Sequence, residues 1–84
     1  MKSEIRDDIF KKLNEIFREV FDDDEIVVSE ATTSADIEEW DSLEHINLIV
    51  AVEKCFEIKF NMGEVSSMKD VGEMADMIYS KLLR

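Results

Sequence analysis

The chain has 84 residues, 45% of them apolar, and its 21 acids against 10 bases give a formal charge of −11. That length predicts one domain over 1–84 with a small core, and a pI near 4.3 argues against nucleic acid and anionic membranes, whose phosphates would repel the chain. A single cysteine excludes an internal disulfide framework, no apolar run approaches the ~20 residues of a membrane span, and the opening Met1-Lys2-Ser3-Glu4 predicts no signal peptide.

With no proline and only Gly63 and Gly72 as breakers, helices are the natural reading. Over residues 4–21, Ile5, Ile9, Leu13, Ile16, Phe17, Val20 and Phe21 recur at spacings of three and four, which predicts an amphipathic first helix. Ser3 is its expected N-cap, and it should stop near Asp22-Asp23-Asp24, where three acids sit badly at the negative end of the helix dipole. Residues 22–40 form a long connection. Ile26-Val27-Val28 has strand-like residues but no pairing partner, so it reads as an extended segment whose apolar side chains plug the core. Thr32, Thr33 and Ser34 ahead of Ala35-Asp36 suggest a turn. A loop of this length in a compact domain is usually functional.

A second helix is expected from Asp41 or Ser42 to about Glu57, with Ile46, Ile49, Val52 and Phe56 as its core stripe and Leu48 and Cys55 flanking. Cys55 reads as a small buried thiol in a reducing, cytoplasmic compartment. Gly63 falls in the next connection, and residues 64–68 suggest a short third helix. The last helix should run over 70–83, burying Val71, Met74, Ala75, Ile78 and Leu82, with Asp70 and Glu73 at capping-box spacing. Met62, Met68, Met74 and Met77 read as core filling. The alternative is a soft, adaptable core that tolerates repacking. The expected fold is all-α, a four-helix bundle of three main helices and one short one, with a long first loop.

The charge is unevenly spread. Residues 19–53 contain twelve acids and no base, while the remaining residues are close to neutral. Such a block is either a solvated face or a docking surface for basic partners. Asp22 and Asp24 do not open a calcium loop, because Val27 and Thr33 occupy the places that need glycine and glutamate. One cysteine and one histidine are too few for a zinc site. Ser42 and His45 lie three apart, but Trp40 and Glu44 replace the glycines of a nucleophile elbow, which argues against a serine–histidine hydrolase.

What remains is Trp40-Asp41-Ser42-Leu43. Asp41 should cap the second helix with Glu44 completing the box, and Trp40 should pack where the helix begins. Ser42 then sits in a first turn, where free N–H groups and the dipole favour a phosphate. Asp41-Ser42-Leu43, followed by Glu44-His45-Ile46-Asn47-Leu48-Ile49-Val50-Ala51-Val52-Glu53 and Phe56, resembles the acyl carrier proteins. The likeness covers nearly the whole chain.

The resemblance implies a non-enzymatic carrier. Ser42 would receive a 4′-phosphopantetheine arm from coenzyme A, added by a magnesium-dependent phosphopantetheinyl transferase, and the arm would carry acyl groups as thioesters. It also implies that the second helix is the recognition helix, with Asp41, Leu43, Glu44, Val50 and Glu53 at the contact places for acyl-loading and acyl-transferring enzymes with basic patches. A monomer is expected. Asn47 and Lys54 stand where fatty-acid carriers often have acids, and Trp40 where they usually have a small residue. A dedicated carrier for a specialised pathway is therefore weighed beside fatty-acid and polyketide synthesis. The rival from another class is an acidic helical interaction module without a prosthetic group.

Overall fold

The computed structural model describes the backbone of residues 2–83 and the side chains of residues 5–83. Four helices follow one another: α1 (Lys2–Val20), α2 (Ser42–Phe56), the short α3 (Met62–Ser67) and α4 (Val71–Leu82). No strand occurs among the described residues, and none of the helices is long and apolar enough to cross a membrane.

The apolar stripe of α1 behaves as its spacing predicts. Ile9, Leu13, Ile16, Phe17 and Phe21 are buried, and Ile5 and Val20 pack at the edge. They meet Leu48, Ile49, Val52 and Phe56 of α2 and Val71, Met74, Ala75 and Ile78 of α4 in one cluster. The helix begins at Lys2, so Ser3 lies inside it rather than at its cap. Its end is set by backbone geometry. Asp22 adopts a left-handed φ of 52°, Asp22 N–H donates to the Glu19 carbonyl, and Asp23 N–H donates to the Arg18 carbonyl. That pattern satisfies carbonyls the helix end would otherwise leave open. Glu57, with φ 57°, ends α2 in the same way, and Ile58 N–H donates to the Glu53 carbonyl.

The long first loop is extended or turned, and side chains of α1 pin it. Asn14 Oδ1 accepts from Val28 N–H at 2.7 Å, and Arg18 Nε donates to the Ile26 carbonyl at 2.7 Å. Val28 and Ile37 enter the core, whereas Val27 points to solvent. The predicted turn is present: Asp36 Oδ2 accepts from Thr33 N–H, and Thr33 Oγ1 accepts from Ala35 N–H. Arg6 joins α1, loop and α4 by pairing with both Glu30 and Asp76. Hydrogen bonds to Glu30 first and Asp76 second push its pKa up from the usual value.

The loop also closes the N-terminus of α4. Val71 N–H donates to the Thr32 carbonyl at 2.9 Å, Gly72 N–H to the Glu30 carbonyl at 3.0 Å, and Glu73 N–H to Asp70 Oδ1 at 2.8 Å. Met74 N–H makes the first regular helix bond, to the Asp70 carbonyl. The three first-turn N–H groups that a helix start leaves without an intrahelical partner, those of Val71, Gly72 and Glu73, are thus satisfied.

Further sequence expectations are corrected. Ile46 is exposed, because α2 turns Leu48 rather than Ile46 into the core alongside Ile49, Val52 and Phe56. Cys55 is exposed, because Phe56 takes the buried place in the last turn. Leu82 is exposed at the end of α4, one turn beyond buried Ile78. Gly63 lies within α3, which starts earlier than expected because Asn61 and Glu64 form a reciprocal capping box. Of the methionines, Met74 is buried and Met68 and Met77 are half-buried, but Met62 is exposed.

Gly72 is the position where a side chain is least tolerable. A Cβ there would stand 2.8 Å from the Glu30 carbonyl oxygen, whereas at Gly63 the nearest atom is Asn61 Oδ1 at 3.4 Å. Gly72→Ala should therefore destabilise the protein by about 1–3 kcal/mol, because a bonded backbone carbonyl must move. Gly63→Ala should be neutral or stabilise by up to about 1 kcal/mol, through helix propensity. Urea unfolding of both variants checks this; a Gly72→Ala midpoint equal to wild type would show that the loop yields freely.

Candidate functional site

The site lies at the start of α2. Asp41 is extended (φ −104°, ψ −173°) and its Oδ1 accepts from Glu44 N–H at 2.8 Å, so it is the N-cap. Its carbonyl accepts from His45 N–H at 2.8 Å. The Glu44 carboxylate does not turn back to complete a box. Its Oε1 accepts from Asn47 Nδ2 at 2.7 Å, because an acceptor on this face already has a donor one turn ahead. Ser42 is the first residue of the helix and is exposed. Among the described residues, the N–H groups of Ser42 and Leu43 have no protein acceptor. The positive end of α2 is therefore open to solvent beside the Ser42 hydroxyl, in contrast to the closed start of α4.

Trp40 anchors the turn that leads into α2. Its ring meets Phe17 edge-on at 5.2 Å between centroids and lies 6.4 Å from Phe21. It stacks on His45, and its Nε1–H donates to His45 Nδ1 at 3.0 Å. An indole nitrogen can only donate, so Nδ1 accepts and the ring hydrogen sits on Nε2. Nε2 in turn donates to the Val65 carbonyl of α3 at 3.2 Å. Both ring nitrogens are thus committed, and neither addresses Ser42. The serine–histidine pairing weighed from sequence is not formed.

A groove of about 690 Å³ opens next to Ser42 between α2 and α3. Ile46, Ile49, Val50, Phe60, Val65 and Met68 are among its lining, with Trp40 and His45 at the Ser42 end. Outside the core stripe, α2 displays Leu43 (68% exposed), Ile46 (56%) and Val50 (43%), and Met62 (84%) stands on the far rim. Glu53 is half-buried, and its Oε2 accepts from Phe60 N–H at 2.8 Å, bracing the chain as it turns toward α3. Of the contact residues inferred from sequence, Asp41, Leu43, Glu44 and Val50 thus lie on or beside one face, while the Glu53 carboxylate is turned to the backbone. Sequence reasoning missed Ile46, Met62 and the His45 bonds. The spacing Leu43–Ile46–Val50, three then four, is a second apolar stripe and was a signal for Ile46.

No family model matches the chain, and no curated protein matches it. Among solved structures, the chain is similar to the solution NMR structure of a holo acyl carrier protein from Geobacter metallireducens. The two share 49% identity with a TM-score of 0.84, over 89% of this chain and 86% of that one. Likeness of that depth in sequence and fold, together with an exposed serine at the open start of the second helix, shows that the chain belongs to the acyl carrier proteins, non-enzymatic carriers of acyl groups.

Proposed function

We propose that Ser42 carries a 4′-phosphopantetheine arm donated by coenzyme A, and that the chain ferries acyl groups between the enzymes of a cytoplasmic biosynthetic pathway. The observation that carries this reading is a juxtaposition. An exposed first-turn hydroxyl, two backbone N–H groups without a protein acceptor and an apolar groove all meet at one end of α2. The residues present fit the group. The open N–H groups of Ser42 and Leu43 and the positive helix end favour a phosphodiester on that hydroxyl. Asp41 keeps its carboxylate on Glu44 N–H, and the groove walls offer a cargo chain an apolar surface. When bound, the arm supplies a terminal thiol that holds an acyl group as a thioester. The similar protein was solved in its holo form, which supports the same state here.

The docking face follows from charge and exposure. Leu43, Ile46 and Val50 make a small apolar stripe with Asp41 and Glu44 at its Ser42 end. An apolar centre with an acidic rim suits transient partners with a matching pocket and basic surroundings. Those partners are a phosphopantetheinyl transferase and the enzymes that load and unload the arm, whereas Glu53, with its carboxylate held by Phe60 N–H, braces the helix rather than meeting them. Trp40 before Asp41, and Asn47 and Lys54 on α2, depart from fatty-acid carriers, so a dedicated pathway stands beside fatty-acid and polyketide synthesis.

Apo protein incubated with a transferase, magnesium and coenzyme A should gain the mass of one phosphopantetheinyl group. Ser42→Ala should gain nothing and keep its stability within about 0.5 kcal/mol, as expected for an exposed hydroxyl with no bond to the protein. Asp41→Ala should lose about 1 kcal/mol as the cap is removed. A group mapped to Ser29, Ser34 or Ser66 would overturn Ser42 as the attachment site, and no mass gain at all would favour the interaction module without a prosthetic group.

Loading should also slow as salt rises toward 0.1 M, where exposed charges are screened over about 10 Å. Reversing Asp41 or Glu44 to lysine should slow it more than reversing Asp7 on the exposed side of α1. Stopped-flow association with the transferase measures both effects, and equal slowing at all three sites would place the docking face elsewhere.

A further inference from the structure

The short helix α3 forms one wall of the groove, yet it buries no residue of its own. Val65 and Met68 reach the core edge only in part. A six-residue helix cannot be stable through its own hydrogen bonds, so its position depends on ties to its neighbours. Glu53 Oε2 holds Phe60 N–H on the approach, and Lys81 Nζ pairs with Glu64 at 3.0 Å on the side of α4. The third tie faces the groove. The Val65 carbonyl belongs to the last turn of α3, where helix geometry offers no partner within the helix. His45 Nε2–H supplies that partner at 3.2 Å.

His45 is itself held from behind. Trp40 Nε1–H fixes the ring through Nδ1, and Trp40 is wedged against Phe17 and Phe21 of the core. A continuous chain of contacts therefore runs from the buried face of α1 through Trp40 and His45 to the open end of α3. We propose that His45 is a positioning residue: by capping Val65 while bonded to Trp40, it holds α3 in place as the groove wall and so sets the space offered to a cargo beside Ser42. The role of the groove rests on the carrier reading. The hold on α3 does not, and it is measured in the unmodified chain, so failure to load Ser42 and failure of the His45 tie are separate results.

The test compares apo wild type with His45→Phe, which keeps a stacking ring but removes both bonds, and His45→Gln, whose amide can accept from the indole and donate to the carbonyl. Trp40 is the only tryptophan, so its indole N–H gives one NMR signal that reads the first bond directly. In His45→Phe that signal should move, and the Val65 and Ser66 amides should exchange with solvent about tenfold faster. Amides of Phe17 and Ile78 should keep wild-type protection. In His45→Gln the exchange of α3 should return to within about threefold of wild type. Unchanged α3 exchange in His45→Phe would overturn the proposal. So would an equal loss across α1 and α4, which would mean general destabilisation, or a glutamine variant no better than phenylalanine, which would assign the effect to ring packing.

Discussion

The first loop leaves α1 at Phe21 and does not regain helical structure until Ser42, and its backbone must find partners wherever it touches the core. Those partners come from elements on either side. Asn14 and Arg18 of α1 take Val28 N–H and the Ile26 carbonyl, and the loop gives its Glu30 and Thr32 carbonyls to the first two N–H groups of α4. The loop is thus a shared strap between two helices rather than a free excursion. Because it is fixed at residues 26–32 and again by buried Ile37, it delivers Trp40 and Asp41 to one place against α1. The start of α2, and with it the orientation of Ser42, depends on that delivery. Gly72 is required for the same reason, since the Glu30 carbonyl approaches α4 too closely for a side chain.

The two helices that meet the loop end up electrically different. At α4 the first three N–H groups are satisfied, so its positive end is spent inside the protein. At α2 the Asp41 side chain takes one donor and its carbonyl another, leaving Ser42 and Leu43 N–H facing outward. The same fold therefore has one helix start that serves stability and one that remains available for chemistry. The available one lies within the base-free stretch from Glu19 to Glu53, with Asp41 and Glu44 next to exposed Leu43 at its start. Steering by charge and contact through a small apolar centre together suit a carrier that must bind many enzymes briefly and release each.

Core packing and exposure divide the faces of α2. One side packs Leu48, Ile49, Val52 and Phe56 against α1 and α4, and the other displays Leu43, Ile46 and Val50. Ile46, Ile49 and Val50 also line the groove toward α3. The middle of the helix serves three surfaces at once, which is why residues 46–52 contain no charged side chain. The wall opposite is the least buried helix of the molecule, so the groove is bounded by a firmly packed element on one side and a polar-tethered one on the other.

The local patterns were legible without the fold. The three- and four-residue spacing of α1, the caps at Asp41 and Asp70 and the turn after Thr33 follow from side-chain chemistry acting within a few residues. So did the isolation of Ser42 in a first turn amid acids, because that depends on the residues next to it. The faces of α2 were not legible. With Ile46, Leu48, Ile49, Val50 and Val52 all apolar, two stripes fit the same period, and only packing against α1 and α4 chose Leu48 over Ile46. Cys55 went outward for the same reason. Nor could sequence place His45 between Trp40 and Val65, twenty residues away, since no periodicity links them. Local side-chain chemistry was enough to start α2 and α4 and to leave one hydroxyl at an open helix start. The tertiary structure decided which apolar side chains face solvent and which polar atoms meet across the groove, because burial and hydrogen bonding between distant segments exist only once the chain has closed on itself.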